Sequence, residues 1–192
     1  MTKGWAVWIT GLPGSGKSSI AKELQRRLLK LGVKSRILSS DELRKRVTPA
    51  PKYTEEERDF VYETLASTAK NLADEGINVI IDATGNRRRY RERPRREISR
   101  FAEIYVKCPL ELCIEREKRR IEFSHAPMGV YEKAFARRSS TVPGVGAPYE
   151  EPLNPEVTVD SKELSARKCT EKIIKGLKTW GWVSQHPLRR SA

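Results

Sequence analysis

The chain has 192 residues, of which 38% are hydrophobic and 33% are charged. This length and composition fit one globular α/β domain over residues 1–192 and do not favour a second domain. The first apolar run, Trp5–Ile9, begins too close to Met1 for a signal peptide, and no apolar run approaches membrane-spanning length. We therefore expect a cytoplasmic protein without a membrane partner.

The formal net charge is +13, and part of it lies in one short stretch. Seven arginines fall within ten positions: Arg87, Arg88, Arg89, Arg91, Arg93, Arg95 and Arg96. Such a charge indicates either a nucleic-acid surface or a site that collects small polyanions. Because a charge run is usually a solvated helix face, we expect no nucleic-acid partner and keep the nucleic-acid surface as the alternative.

The first predicted strand, about Trp5 to Thr10, leads into the sequence G-L-P-G-S-G-K-S and then into a predicted helix. The pattern G-x-x-x-x-G-K-[ST] lets successive backbone N–H groups turn towards the β- and γ-phosphates of a nucleotide. Lys17 adds positive charge near the γ-phosphate, and the Ser18 hydroxyl suits Mg²⁺. The predicted nucleotide-binding residues are Gly11, Leu12, Pro13, Gly14, Ser15, Gly16, Lys17, Ser18 and Ser19.

A second strand and its carboxyl end follow the first helix. That helix is predicted from Ser18 to about Leu31, with Gly32 ending it, and the strand covers residues 33–38. The strand finishes at Ser39-Ser40-Asp41. Because ligands of open α/β sheets bind beyond the carboxyl ends of the strands, we expect Asp41 at the same edge as the phosphate loop.

A third strand brings a second carboxylate to this edge. Thr54 and Glu57 resemble a capping box that opens a long helix to about Glu75, and Gly76 stops that helix. The apolar strand at residues 77–81 then ends at Asp82. A carboxylate here commonly holds Mg²⁺ or activates a nucleophilic hydroxyl, and the alternative is that Asp82 caps the next helix.

The rest of the chain completes a parallel five-stranded sheet between two helical layers, an α/β/α arrangement. The remaining predicted elements are an arginine-rich helix to about residue 100, strands at 102–106 and 156–159, and helices at 110–120 and 162–178. Residues 121–155 are rich in proline and glycine and lose apolar periodicity. A long irregular segment inside a compact domain is usually functional, so we predict that residues 121–155 form a lid.

These parts match the needs of phosphoryl transfer from ATP. The reaction requires a phosphate cradle, a metal, a residue that orients the attacking oxygen, and cations that stabilise the transition state. We predict that Lys17, Asp41 and Lys133 are catalytic, with Asp41 as the base, and that Lys133, Arg137 and Arg138 bring positive charge from the lid. The predicted Mg²⁺ ligands are Ser18, Asp41 and Asp82. The lid favours a small kinase over an ATPase motor.

Several segments between Trp5 and about Ser161 are similar to motifs of one kinase family. Leu38–Arg44 is similar to D-G-D-N-[VI]-R, Tyr53–Arg58 to F-S-x-x-D-R, residues 129–134 to G-L-Y-K-K-A, and Ala147–Glu156 to S-P-Y-E-x-P-x-N-P-E. By these segments the chain resembles adenylylsulfate kinases, also called adenosine 5′-phosphosulfate kinases.

The resemblance implies a P-loop kinase fold and a role in sulfate assimilation. It implies transfer of the γ-phosphate of ATP to the 3′-hydroxyl of adenylyl sulfate, which gives 3′-phosphoadenylyl sulfate and ADP. It also implies substrate contacts by Asp41, Arg44 and Arg58. A homodimer is a possible assembly of the chain.

The chain departs from the family pattern at three places. Val61-Tyr62-Glu63 occupies the place of N-[IV]-R, residues 140–146 replace K-G-F-T-G-I-D with its stacking Phe, and Gly85-Asn86 replaces the phosphorylatable serine and its proline. Arg87, Arg88 or Arg91 are candidates to replace the missing cations. Two alternatives therefore stay open: a kinase of another small molecule or of a nucleic-acid end, and a non-catalytic nucleotide-dependent binding protein.

Overall fold

A parallel five-stranded sheet forms the centre of the computed structural model, which describes residues 2–48, 51, 54–119, 129–136 and 140–184. The strands are β1 (Ala6–Thr10), β2 (Ser35–Ser39), β3 (Asn78–Asp82), β4 (Phe101–Lys107) and β5 (Val157–Asp160). Their order across the sheet is β2-β3-β1-β4-β5, and every neighbouring pair is parallel. The predicted sheet is confirmed.

Helices connect and cover the strands. In chain order they are α1 (Lys17–Lys30), α2 (Ser40–Val47), α3 (Glu55–Asp74), α4 (Arg88–Glu97), α5 (Leu110–Lys118), α6 (Val130–Phe135) and α7 (Ala166–Thr179). None of these described helices has the length and apolar composition needed to cross a bilayer.

The central strand β1 shows why the sheet needs helices on both faces. All five of its residues are buried, and successive side chains point to opposite faces. Val7 and Ile9 pack in a cluster with residues of α1 and α7, whereas Ala6 and Trp8 pack with residues of α3. The three-layer α/β/α prediction is therefore confirmed.

The helix start predicted at Thr54 and the helix ends predicted at Gly32 and Gly76 are observed in the structure. The Thr54 hydroxyl accepts a hydrogen bond from the Glu57 amide at 3.2 Å and caps α3. Gly32 and Gly76 follow α1 and α3 with φ angles of +77° and +85°, where a side chain would be strained. The ends of the helices and strands lie within a few residues of the prediction.

Helix α2 was not among the predicted elements. Ser39 is both the last residue of β2 and the N-cap of α2, and its Oγ accepts a hydrogen bond from the Glu42 amide at 3.4 Å. No turn residues separate the strand from the helix, so the sequence between residues 33 and 48 lacks the usual boundary signal.

The strand register aligns the predicted site residues at one edge. Asp82 pairs with Ile9 of β1 and with Ser39 of β2. The phosphate loop, the first turn of α2 with Asp41, and Asp82 therefore meet at the carboxyl edge of the sheet. The alternative role of Asp82 as a helix cap is wrong, because Arg87 is the N-cap residue of α4.

The predicted lid contains two described parts. Residues 129–136 hold the short helix α6, on which Lys133 is exposed. Residues 140–155 carry a bridge between Pro143 and Ala147 and then run along the start of α4, where the Asn86 side chain donates to the Pro148 carbonyl at 3.1 Å. Arg137 and Arg138 lie outside the described residues.

Candidate active site

The phosphate loop is a tight turn at the start of α1. Gly14 and Gly16 have φ angles of +80° and +98°, and a Cβ on Gly14 would lie 2.3 Å from the Cys113 carbonyl oxygen. Only glycine fits such a position without moving α5. The Lys17 side chain is buried, and its Nζ donates to the carbonyl oxygens of Gly11 at 3.0 Å and Leu12 at 2.9 Å. The loop thus fixes a lysine ammonium beside its own backbone.

Tyr131 fastens α6 to this loop. Its side chain is fully buried, and its hydroxyl donates a hydrogen bond to the Pro13 carbonyl at 2.8 Å. Gly144 approaches the loop from the other part of the predicted lid, where a Cβ would lie 2.9 Å from a Leu12 methyl. Both described parts of the predicted lid therefore contact the phosphate loop. The only sequence signal for Tyr131 was its place in the motif at residues 129–134.

Asp82 is a buried carboxylate beside the loop. Burial raises its pKa above the usual range, and the positive charge of Lys17, a hydrogen bond from the Ser18 hydroxyl and the charge of Lys22 act against that rise. The nearby carboxylate of Glu42 adds to it. The structure thus brings Ser18 and Asp82 together, and it adds Glu42, which the sequence did not single out.

The donor set near Asp82 fits Mg²⁺. Within the described residues, no group of three or more His, Cys, Asp or Glu side chains could hold a metal ion. Mg²⁺ is usually held by one or two carboxylates together with water and substrate phosphates, so it does not need such a group. One carboxylate and one hydroxyl at the head of a phosphate loop match that chemistry.

We expect the Asp82→Asn variant to be more stable than the wild type at about pH 7 without Mg²⁺ or nucleotide. A raised pKa in the folded state means that ionised Asp82 costs stability, and that cost grows as the pH rises above the ordinary aspartate pKa of about 3.9. Asparagine removes the cost and still accepts the Ser18 hydrogen bond. Thermal unfolding of both proteins should show a higher Tm for the variant near pH 7 and no difference near pH 4.

The same variant should lose activity by about 10²-fold, the scale of one lost interaction with the transferring phosphoryl group. A variant that is both less stable at neutral pH and normally active would contradict the assignment of Asp82 to the metal side.

The predicted substrate-binding residues lie on α2 and α3. Arg44 is buried, and its Nη1 pairs with Glu57 Oε1 at 2.5 Å. Arg58 donates from Nη2 to the carbonyl oxygen of Thr141, which joins α3 to the predicted lid. Asp41 lies in the first turn of α2, and the ion pair of Arg44 with Glu57 joins α2 to α3. The three predicted substrate-binding residues, Asp41, Arg44 and Arg58, therefore lie on two helices that contact each other.

Tyr62 lies on α3 one turn beyond Arg58. Burial is the main reason that its pKa is raised, and Arg58 and Arg44 act against the rise while Asp41 adds to it. Its hydroxyl accepts a hydrogen bond from the Gly85 amide at 3.1 Å. The sequence marked Tyr62 only as a departure from the N-[IV]-R pattern and gave it no role.

Comparison with known proteins decides the family. The sequence profile described as adenylylsulphate kinase matches residues 3–160. The chain belongs to the adenylylsulphate kinase family. It is 34% identical over 181 residues to a probable adenylyl-sulfate kinase of Pyrococcus abyssi, covering 94% of this chain and 99% of that one. The adenylyl-sulfate kinase of Clostridium acetobutylicum is 33% identical over 177 residues, with 92% and 84% covered.

Solved structures agree with this result. The Mycobacterium tuberculosis APS kinase in complex with AMPPNP and APS superimposes with a TM-score of 0.81 at 30% identity, and the match covers 93% of this chain and 99% of that chain. The predicted resemblance and the P-loop kinase fold are therefore confirmed, and the chain is a kinase of this family.

The arginine run of this kinase is largely paired with its own carboxylates. Five of the seven arginines form ion pairs: Arg87, Arg89, Arg91, Arg93 and Arg95. Arg91 is 1% exposed and holds Glu103 together with the carbonyl oxygens of Gly85 and Glu150. Most of the run is therefore a network that joins α4 to α3, β4 and residues 150–156, and Arg91 is not placed to replace a missing substrate cation.

Proposed function

We propose that this enzyme transfers the γ-phosphate of ATP to the 3′-hydroxyl of adenylyl sulfate and releases 3′-phosphoadenylyl sulfate and ADP. The observation that carries the proposal is the common sheet edge of two groups of residues. Lys17, Ser18 and Asp82 lie on the donor side, and Asp41, Arg44 and Arg58 lie on the paired helices α2 and α3 on the other side. A family kinase with both groups at one edge can hold both substrates within reach of each other.

On the donor side, Lys17 and the amides of residues 11–16 bind the β- and γ-phosphates. Ser18 and Asp82 would hold Mg²⁺, which would neutralise charge on the phosphate oxygens. Asp41 is the second carboxylate of the predicted metal set. Its place in the first turn of α2, the helix that also carries Arg44, supports a role nearer the acceptor, whereas Asp82, buried at the end of β3, is proposed as the main metal ligand.

On the acceptor side, Asp41 takes the proton of the attacking hydroxyl. The hydroxyl oxygen then bonds to the γ-phosphorus as the bond from that phosphorus to the β–γ bridging oxygen breaks. Arg58 binds an anionic group of the acceptor, and Arg44, whose Nη1 pairs with Glu57, is the second candidate cation. Lys133, exposed on α6, supplies positive charge from the lid, and residues 121–155 together exclude water.

An ADP-release assay with purified enzyme, Mg²⁺, ATP and adenylyl sulfate tests this function. We expect adenylyl sulfate to raise ADP release well above the rate with ATP alone, and the new product to carry one additional phosphate on the 3′-oxygen. The Lys17→Ala variant serves as the inactive control. An unchanged rate on addition of adenylyl sulfate would overturn the proposal.

One observation keeps a different small-molecule acceptor as the second candidate. Val142, where the family has its stacking Phe, is buried with Cys113 and Tyr131. It therefore offers no aromatic platform to an adenine ring. A screen of other hydroxyl-bearing acceptors in the same assay separates the two candidates. The homodimer and the cytoplasmic location stay predictions.

A further inference from the structure

The loop between β3 and α4, residues 83–87, directly follows Asp82 and is held by side chains from several elements. The carbonyl oxygens of residues 83–86 accept hydrogen bonds, in that order, from Trp8 Nε1, Thr10 Oγ1, Arg91 Nη1 and the Glu150 amide. These four hydrogen bonds restrict the loop, and the Gly85 amide is its further point of attachment.

Gly85 is the tightest point of this loop. Its φ angle is +51°, and a Cβ there would lie 2.8 Å from the Trp8 ring and 3.0 Å from Arg91 Cγ. Its carbonyl is bound by Arg91, and its amide donates to the Tyr62 hydroxyl at 3.1 Å. The Gly85 carbonyl is therefore held by a side chain of the next helix, α4, and the Gly85 amide by a side chain of α3.

Tyr62 connects Gly85 to the residues proposed to bind the acceptor. It lies on α3 one turn beyond Arg58, and the ion pair of Arg44 with Glu57 joins α2 to the same helix. The Gly85 amide is therefore held by the helix that carries Arg58, while the neighbouring Thr84 carbonyl is held by Thr10, the residue before the phosphate loop. In the family pattern this part of the loop carries a serine and this part of α3 carries N-[IV]-R, so both partners of the Tyr62–Gly85 contact are departures of this chain.

We infer that Tyr62 is a positioning residue for the acceptor: its hydroxyl fixes the Gly85 amide and so sets the wall of the acceptor site between Asp41 and α4. The inference rests on the proposed transfer to adenylyl sulfate. Tyr62 itself takes no part in proton or phosphoryl transfer. Loss of the hydroxyl leaves the Gly85 N–H without its partner and lets the loop move, which weakens acceptor binding while the phosphate loop stays intact.

The variant Tyr62→Phe removes only the hydroxyl, and Tyr90→Phe is the matched control. The Tyr90 ring stacks on Tyr62 with centroids 4.3 Å apart, but its hydroxyl donates to Asp59 at 2.6 Å and does not contact Gly85. For Tyr62→Phe we expect the KM for adenylyl sulfate to rise about tenfold and the KM for ATP to stay within about twofold. Tyr90→Phe should leave the acceptor KM within about twofold.

Amide hydrogen exchange at Gly85, measured by NMR without substrate, gives a readout that does not depend on the reaction. It should be about tenfold faster or more in Tyr62→Phe and unchanged in Tyr90→Phe. Unchanged exchange, or equal rises of both KM values that follow a fall in Tm, would overturn the inference. If the wild type shows no activity with adenylyl sulfate, the proposed function fails, and exchange at Gly85 still decides whether Tyr62 holds the loop.

Discussion

Replacing Lys17 with alanine will lower kcat by about 10²- to 10³-fold, the effect expected when one preorganised donor to the developing charge is removed. In the structure the Lys17 ammonium is buried and anchored by two loop carbonyls, so its position is fixed before the phosphoryl group moves. A preorganised charge of this kind needs little reorganisation during the reaction, and a mobile surface lysine cannot replace it.

The Lys17→Ala substitution should also weaken Mg²⁺ binding. Lys17 is the strongest of the groups that oppose the burial-driven rise in the pKa of Asp82. Without it, the pKa of Asp82 rises further, and the carboxylate holds Mg²⁺ less well because it must ionise to do so. We therefore expect the Lys17→Ala variant to need more Mg²⁺ for half-maximal rate as well as having a lower kcat.

The measurement is steady-state ADP release at saturating ATP over a range of Mg²⁺ concentrations. Lys30→Ala is the control, since Lys30 is exposed on the last turn of the same helix, far along α1 from the loop. A Lys17→Ala enzyme with kcat within about threefold of the wild type would remove Lys17 from the catalytic set.

The fold was predictable because its signals are local. Apolar strands such as Trp5–Ile9 are followed by helical periodicity, and Gly32, Gly76 and Thr54 mark the ends and starts of helices within one turn of the chain. Helix α2 was not predicted because Ser39 is both the last residue of β2 and the N-cap of α2. Without a separating turn, the sequence does not distinguish a strand followed at once by a helix from a strand that runs into a loop.

The phosphate loop could be predicted for the same reason, since eight consecutive residues carry it. The contacts that complete the site connect distant parts of the chain: Tyr131 binds the carbonyl of Pro13, and Tyr62 binds the amide of Gly85. Arg91 was a candidate substrate cation in the sequence, yet its partners are Glu103, Gly85 and Glu150. Charge type is visible in a sequence, whereas the partner of a charge is set by packing.

Replacing Asp41 with asparagine will lower kcat by about 10²- to 10⁴-fold, the range that a positioned general base contributes. Asparagine keeps the size of the side chain and its place in the first turn of α2, but it cannot accept the proton of the attacking hydroxyl. The KM for ATP should stay within about twofold, because the phosphate loop is built from β1 and α1 and does not depend on Asp41.

Steady-state kinetics with both substrates varied will test this, with Glu92→Gln as the control because Glu92 is exposed on α4. Raising the Mg²⁺ concentration separates the two roles predicted for Asp41. A variant that lacks a base stays slow at any Mg²⁺ concentration, whereas one that lacks only a metal ligand recovers as Mg²⁺ saturates the remaining ligands, Ser18 and Asp82. Because Asp41 lies on α2 with Arg44, whereas Asp82 lies at the end of β3 and is the proposed main metal ligand, we expect no recovery. Normal kcat in Asp41→Asn would refute both roles, and full recovery would reassign Asp41 to the metal.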